Sequence, residues 1–309
     1  MELFKQNTKI DFMAQRKGAA VLSILVFVLS ILSIAIYGLS MGLDFTGGTQ
    51  VHMTFPEEAN VAKIRETMHN AGFKEAEVKN YGTSKDVLVT LVPKETVDAK
   101  SEKDKEVRKI QQLLPDAKIQ QVDYIGPQVG KELATKGALA IVVALLGTMI
   151  YIAMRFEFRF AVGSTIALIH DPILILGIFS FFHIEFNLIS LAAVLTVIGY
   201  SLNDTIVIFD RVRENFRKMR KSSPEEIINL SINQTLSRTI MTSVLTLFVV
   251  FALFFLGGSM LYGFSLALII GIVVGTYSSI YVAGSLAITM GLTRQHLLPV
   301  SKESLDERP

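Results

Sequence analysis

The chain has 309 residues, of which 50% are apolar and only 19% are charged. This composition excludes an ordinary soluble enzyme and predicts a membrane protein. The formal net charge of +2 does not mark a nucleic-acid-binding chain, and the lack of cysteine excludes disulfides, thiolate metal sites and a thiol nucleophile.

Six apolar segments are long enough to cross about 30 Å of hydrocarbon at 1.5 Å per residue. We place these spans at residues 18–41, 133–154, 160–182, 187–209, 238–256 and 261–289. The apolar core of the first segment is longer than the central region of a signal peptide. We therefore predict that it is a retained membrane anchor.

Lys and Arg residues predict the orientation, because ends and short loops that carry them stay in the cytoplasm. These residues precede span one, separate spans two and three as well as four and five, and follow span six. The turns "HIEFN" and "GGSMLY" on the opposite side contain none. We predict cytoplasmic termini at residues 1–17 and 290–309, a cytoplasmic loop at 210–237, and a spanning region at 133–289.

Residues 42–132, between spans one and two, form the only long soluble segment and are predicted to lie outside the cytoplasm, in the periplasm. The segment alternates between strand and helix periodicity in the order βαββαβ. This order predicts a small ferredoxin-like α+β domain.

The stretch "GLDFTGGTQV" at the start of this segment is rich in glycine. It has no Gly-Lys-Ser/Thr and does not match the dinucleotide fingerprint, so it does not predict a phosphate site. We expect its glycines to permit a tight exit from the membrane into the first strand.

The motif "SSPEEI" indicates the start of a helix. Ser223 suits the N-cap, Pro224 the first helical position, and Glu226 follows the cap by three residues. We predict a helix that begins here and continues into the fifth span.

Asp171 precedes Pro172 near the middle of the third span. This pair favours a helix restart, in which the carboxylate caps free N–H groups and proline takes the first position of the next turn. The alternative is a polar step in an ion path, with His170 beside it. The sequence leaves both interpretations open.

Asp204 lies inside the fourth span, where a carboxylate costs about 2.5 to 3.5 kcal/mol on insertion scales. Such a residue normally faces protein or water and has a partner. Polar residues recur on one side of spans four and five: Thr196, Tyr200, Asn203, Asp204 and Arg211 on the first, and Arg238, Thr239, Thr242, Ser243 and Thr246 on the second.

Two antiparallel neighbouring spans would bring Asp204 and Arg238 together. A buried carboxylate with a compensating cation is a candidate proton site, supported by the polar groups of Tyr200, Asn203 and Thr242. The alternatives are a structural hydrogen bond for Asp204 and an interfacial anchor for Arg238.

Three motifs carry a family resemblance: "GLDFTGGTQV", "VIGYSLNDTIVIFDRVRENFR" and "QTLSRTIMTS". In this order they resemble the SecF subunits of the bacterial Sec translocase, in the SecD/SecF family of the resistance-nodulation-division superfamily. The resemblance covers nearly the whole chain. It implies an α-helical polytopic membrane protein of six transmembrane helices, with one extracytoplasmic ferredoxin-like α+β domain between spans one and two.

The resemblance also implies a function. Members pair with SecD in the bacterial inner membrane and use the proton gradient to promote preprotein export through SecYEG. The essential carboxylate falls on Asp204 and the essential arginine on Arg238, while Asp171 matches an "HD" pair on the proton path. The implied partners are SecD, SecYEG, a translocating preprotein, YajC and membrane lipids, with no nucleic acid, cofactor, metal or enzymatic activity.

Three alternative functions would each require different features of the chain. Half of a proton-driven exporter of lipids or small apolar molecules would share the carboxylate, but should have a larger outer domain or a substrate cavity. An intramembrane aspartyl protease built on Asp171 and Asp204 would need a Gly-x-Gly-Asp setting, which "SLND" does not supply. A pure assembly factor would not need Asp204 to ionise.

Overall fold

The computed structural model describes residues 8–92, 99–219 and 221–292. In chain order, the elements are α1 (Arg16–Tyr37), α2 (Leu43–Thr46), β1 (Gly48–Thr54), α3 (Val61–Asn70), β2 (Glu77–Tyr81), β3 (Thr83–Leu91), α4 (Ala99–Leu113), β4 (Lys118–Ile125), α5 (Pro127–Arg155), α6 (Phe158–Phe181), α7 (Leu188–Lys218), α8 (Pro224–Leu256), α9 (Gly258–Ser278) and α10 (Gly284–Thr289). A 3₁₀ turn precedes α1, and a π-helical turn joins α9 to α10.

Six helical segments of the described chain are long and apolar enough to span a membrane. They are Met13–Tyr37, Pro127–Arg155, Phe158–Phe181, Leu188–Lys218, Pro224–Leu256 and Gly258–Thr289. The predicted fold class is confirmed, with six spans and one α+β domain between the first two.

The α+β domain is a four-stranded sheet in the order β2-β3-β1-β4, in which all neighbouring strands are antiparallel. This is the strand order of the predicted ferredoxin-like fold. Alternate residues of β1, Val51 and Met53, are fully buried, as a half-buried strand requires. They pack with Met68 of α3 and Ile110 of α4, so both helices cover one face of the sheet.

Several helices begin or end at residues other than those predicted from hydropathy. Helix α7 continues to Lys218 and α8 begins at Pro224, so most of the predicted loop at 210–237 is helical. The predicted capping box is confirmed, because Ser223 Oγ accepts from Glu226 N at 3.2 Å and Ser223 N donates to Glu226 Oε2 at 3.1 Å. Of the predicted termini, residues 1–7 and 293–309 lie outside the described residues.

Helices α6, α7 and α9 form the centre of the bundle, whereas α1, α5 and α8 expose most of their apolar side chains. Small residues allow the central helices to approach closely. A Cβ on Gly271 of α9 would overlap the side chain of Val197 of α7, and one on Gly275 would lie 3.0 Å from Ser201. The rotation of α7 against α9 is therefore fixed by these contacts.

The glycine-rich exit from the first span contains the short helix α2 and two residues of positive φ, Gly47 at 69° and Gly48 at 124°. A Cβ on Gly130 of α5 would lie 2.8 Å from Gly47 N, so the two backbones are in contact. The glycines thus serve a tight turn and a close approach, as the sequence predicted.

Backbone hydrogen bonds join this exit segment to the turn between α6 and α7. Gly42 N donates to Phe186 O at 2.9 Å, and Phe186 N donates to Ser40 O at 2.8 Å. Asp44 Oδ2 accepts from Leu188 N, the first residue of α7, at 2.8 Å. We call this set of three bonds the entry ladder.

Candidate functional site

Asp171 of α6 is 1% exposed and is fully engaged in hydrogen bonds. Its Oδ2 accepts from Ser201 Oγ of α7 at 2.6 Å and from Ser278 Oγ of α9 at 2.8 Å. Its Oδ1 lies 3.0 Å from His170 Nδ1. Because the two serine donors come from α7 and α9, this cluster joins α6 to both helices at the middle of the bundle.

The interpretation of Asp171 as the cap of a restarted helix is wrong. Helix α6 runs without interruption from Phe158 to Phe181, with Pro172 inside it. The carboxylate points to hydroxyl groups of neighbouring helices instead of to free N–H groups of its own. Tertiary hydrogen bonds therefore outweighed the local capping preference that an Asp-Pro pair has.

Asp204 of α7 is also buried, with an exposure of 3%. Unlike Asp171, it accepts no hydrogen bond from the described part of the chain, and its Oδ2 is fully enclosed. Thr239 Oγ1 of α8 and His170 Nε2 are two further buried polar atoms without a partner there. A buried carboxylate oxygen without a donor costs free energy, so this site is incomplete as it stands.

Arg238 of α8 is exposed, and no hydrogen bond or ion pair of its guanidinium occurs among the described residues. It lies close enough to Asp204 for an electrostatic interaction, but the two do not form the direct ion pair that the sequence led us to expect. The antiparallel helices α7 and α8 thus place the cation near the carboxylate without contact.

The three predicted supporting residues have different surroundings. Tyr200 Oη donates to Ser243 Oγ of α8 at 3.4 Å, and Ser243 Oγ lies 2.9 Å from Thr276 Oγ1 of α9. Thr242 Oγ1 donates to the carbonyl of Thr239, in its own helix, at 2.9 Å. Asn203 is exposed on α7, next to the buried Asp204.

Sequence reasoning missed the hydroxyl groups that surround Asp171. Ser201 and Ser278 bind its carboxylate, and Thr205 Oγ1 lies 2.9 Å from Ser279 Oγ one turn further along α7. Ser201 precedes Asp204 by three residues, and Ser278 follows Gly275 by three. This helical spacing of small polar residues was the signal available, but it does not identify a partner on another helix.

A metal centre finds no support in the described residues, which contain no group of three or more His, Asp or Glu side chains that could hold an ion. The two buried aspartates differ in their surroundings. Asp171 is enclosed by hydrogen-bond partners, whereas Asp204 has none in the described residues and is the group suited to acid–base exchange.

Comparison with known proteins gives consistent matches. A family profile described as "Protein export membrane protein SecD/SecF, C-terminal" matches residues 105–293, and one described as "SecD/SecF GG Motif" matches residues 32–55. The second match covers the glycine-rich exit described above.

Relatives and solved structures extend these matches over nearly the whole chain. "Protein translocase subunit SecF" of Vibrio alginolyticus is 47% identical over 100% of this chain and 99% of its own length, and that of Pseudomonas aeruginosa is 44% identical over 97% and 98%. The crystal structure of SecDF from Thermus thermophilus, a translocon-associated membrane protein, matches with a TM-score of 0.84 at 35% identity. That match covers 93% of this chain but only 39% of the longer SecDF chain. The chain therefore belongs to the SecD/SecF family of protein export membrane proteins.

Proposed function

We propose that this chain is the SecF-type half of a proton-driven accessory complex that promotes preprotein export through a SecYEG channel. Relatives of matching length are named as translocase subunits, and the Thermus thermophilus protein is described as translocon-associated. These names favour protein export over the export of lipids or small apolar molecules. The proposed role needs no cofactor and no enzymatic step, because protons are the driving species.

The observation that carries the proposal is the buried carboxylate of Asp204 without a hydrogen-bond donor in the described chain. A purely structural aspartate is normally satisfied, as Asp171 is. An unsatisfied one is stabilised by taking up a proton or by approach of a cation, and Arg238 is the cation nearby. Alternation between these two states is the proposed proton cycle.

A second membrane subunit is part of the proposal. Asn203 and Arg238 are both exposed on spans of this chain, and polar side chains within a bilayer must face protein or water. A SecD-type partner that covers this face would enclose them. The structural match covers only 39% of the SecDF chain, so that longer chain contains a further part, which we propose a separate SecD-type subunit supplies here.

The orientation follows from the distribution of basic residues, and we propose cytoplasmic termini in a bacterial inner membrane, with the α+β domain outside. In this orientation the entry ladder lies on the outer side. One proton that crosses about 100 mV releases about 2.3 kcal/mol, which is enough to bias a conformational equilibrium at each step.

For Asp171 we propose a positioning role in the proton path. Its hydrogen bonds from Ser201 and Ser278 hold α6, α7 and α9 together, and Ser201 lies one turn from Asp204. The carboxylate thereby fixes the rotation of the segment of α7 that carries the proton site. YajC remains a partner expected from the family resemblance alone.

The test uses the full chain, co-reconstituted with its SecD-type partner and SecYEG in vesicles. Asp204→Asn keeps the shape and an acceptor oxygen but removes the titration, so proton-gradient-dependent preprotein export should be lost while the complex stays assembled. Asp116→Asn makes the same chemical change at an exposed position of the α+β domain and should export normally. Normal export by Asp204→Asn would overturn the proposal.

A further inference from the structure

A charged cleft of about 420 Å³ lies where α5 and α7 end, on the side of the bundle away from the α+β domain. Four cations and two carboxylates line it: Arg155, Asp210, Arg213, Glu214, Arg217 and Lys218. It is separate from the buried aspartates, and the proposed proton cycle does not use it.

Both carboxylates of the cleft are already neutralised within the chain. Asp210 binds Arg155 through Nη2 at 3.1 Å. Glu214 binds Arg211 at 2.9 Å and Lys218 at 2.6 Å. Neither carboxylate therefore needs a further cation.

The cleft retains two arginines without an acidic partner. Arg213 and Arg217 make no hydrogen bond or ion pair with any other residue that the structure describes. Because they are four residues apart on α7, both guanidinium groups lie on the same face of the helix. The cleft thus presents two adjacent, unsatisfied guanidinium groups to an external anion.

The cleft also lies at the boundary between apolar and charged surface. The outer face of α5 exposes a run of large apolar side chains that ends beside the cleft: Leu139, Val142, Val143, Leu146, Ile150, Tyr151 and Met154. The next residue is Arg155, which lines the cleft. A tyrosine at this level is typical of the membrane–water interface.

We propose that this cleft binds the headgroup of an anionic phospholipid, whose acyl chains lie along the exposed face of α5. An arginine fork matches the oxygens of a phosphate group, and two forks on one helix face can hold one phosphodiester between them. The surplus of cations disfavours a zwitterionic headgroup, whose amine would be repelled. The adjoining apolar strip favours a lipid over free phosphate as the source of the anion.

Basic residues at helix ends also attract acidic membranes without a specific site, at about 1 kcal/mol for each residue. The chain offers a matched control for this general effect. Lys17 and Lys221 are exposed at the same end of the bundle, make no ion pair within the described residues, and lie outside the cleft. Removal of these two lysines changes the net charge as much as removal of the two arginines does.

The experiment measures lipid binding to the purified full chain by native mass spectrometry in mild detergent. Phosphatidylglycerol, phosphatidylethanolamine and inorganic phosphate are titrated separately. We expect one phosphatidylglycerol to bind in preference to phosphatidylethanolamine, and Arg213→Gln with Arg217→Gln to weaken its binding by about thirtyfold. Lys17→Gln with Lys221→Gln should bind it as the unmodified chain does.

A second variant tests the geometry of the site. Arg213→Lys with Arg217→Lys keeps the charge but loses the planar forks, so it should bind phosphatidylglycerol more weakly than the unmodified chain and more tightly than the glutamine variant. Unchanged binding by the glutamine variant would overturn the proposal. Equal weakening by the Lys17 and Lys221 control, or full displacement of the lipid by inorganic phosphate, would overturn it as well.

Discussion

Asp171 and Asp204 are the same residue type at nearly the same burial in neighbouring helices, yet their surroundings are opposite. Asp171 has two hydroxyl donors and an imidazole, whereas Asp204 has no donor in the described chain. Burial alone therefore does not distinguish the two carboxylates, but the number of hydrogen-bond donors does. We propose that this number separates a structural carboxylate from one that exchanges a proton.

The contrast has an energetic meaning. Hydrogen bonds between helices in membranes contribute about 0.6 kcal/mol each on average. The bonds from Ser201 and Ser278 to Asp171 therefore stabilise one arrangement of α6, α7 and α9. An unpartnered carboxylate stabilises no single arrangement and changes its preference when it gains a proton or a cation. Asp171 thus favours one arrangement of the central helices, whereas Asp204 does not. Ser201, which binds Asp171, and Asp204 lie one helical turn apart on α7.

The largest expected effect is a difference in export between two identical substitutions. Asp204→Asn should abolish proton-dependent export, but Asp171→Asn should retain most of it. At position 171 an amide oxygen can still accept from Ser201 and Ser278, while its NH₂ group donates to His170. Export assays with both variants in reconstituted vesicles measure the difference, and equal loss would make Asp171 a second proton-exchanging site.

Substitution of Arg238 tests the interaction between Asp204 and its nearby cation. Arg238→Gln removes the cation that favours ionised Asp204, so export should be almost as low as in Asp204→Asn. Arg238→Lys keeps the charge without the planar fork and should restore part of the activity. Initial export rates under an imposed proton gradient rank the activities of the variants. Full activity of Arg238→Gln would show that the arginine takes no part in the proposed proton cycle.

The effects on stability should have the opposite order to the effects on export, with the larger loss at Asp171. Asp171→Ala should lower the free energy of unfolding by about 1 kcal/mol, because it removes two interhelical hydrogen bonds. Asp204→Ala removes an unsatisfied acceptor and should cost little. Equilibrium unfolding in mixed detergent micelles measures both, and a larger loss for Asp204→Ala would contradict the comparison.

A third carboxylate, outside the spans, should show a smaller effect. Burial raises the pKa of Glu185 above its ordinary value, Lys79 opposes the shift, and Glu77 and Asp44 add to it. Because the folded state favours the protonated acid, this group stabilises the protein most below its ordinary pKa of 4.5, and the contribution is lost as pH rises through the raised value. Glu185→Gln should reduce the fall in melting temperature above pH 4.5, and an unchanged pH profile would contradict this expectation.

The sequence predicted the elements whose signals are local. Alternating residues such as Val51 and Met53 identified the strands, and the spacing of Ser223, Pro224 and Glu226 identified the start of α8. Apolar length identified six spans, although charged residues near the end of α7 concealed its continuation to Lys218. Helical propensity does not stop where hydropathy does, which explains the difference.

The partners of the buried aspartates could not be predicted in the same way. Ser278 reaches Asp171 only because α9 is rotated so that Gly271 and Gly275 contact α7. That rotation depends on many contacts between distant segments. The same limit applies to Arg238, since spacing placed it near Asp204 but could not determine how far its side chain lies from the carboxylate.

The entry ladder connects the outer end of α7, the helix that carries Asp204, to the segment that leads into the α+β domain. Two of its bonds join the segment that leads into the domain to Phe186, and the third joins Asp44 to Leu188, the first residue of α7. Leu188 lies about 24 Å along the helix from Asp204 at 1.5 Å per residue. A helix transmits axial displacement and rotation over this distance with little compression. A shift of α7 must therefore either carry Asp44 with it or break the bond from Leu188 N.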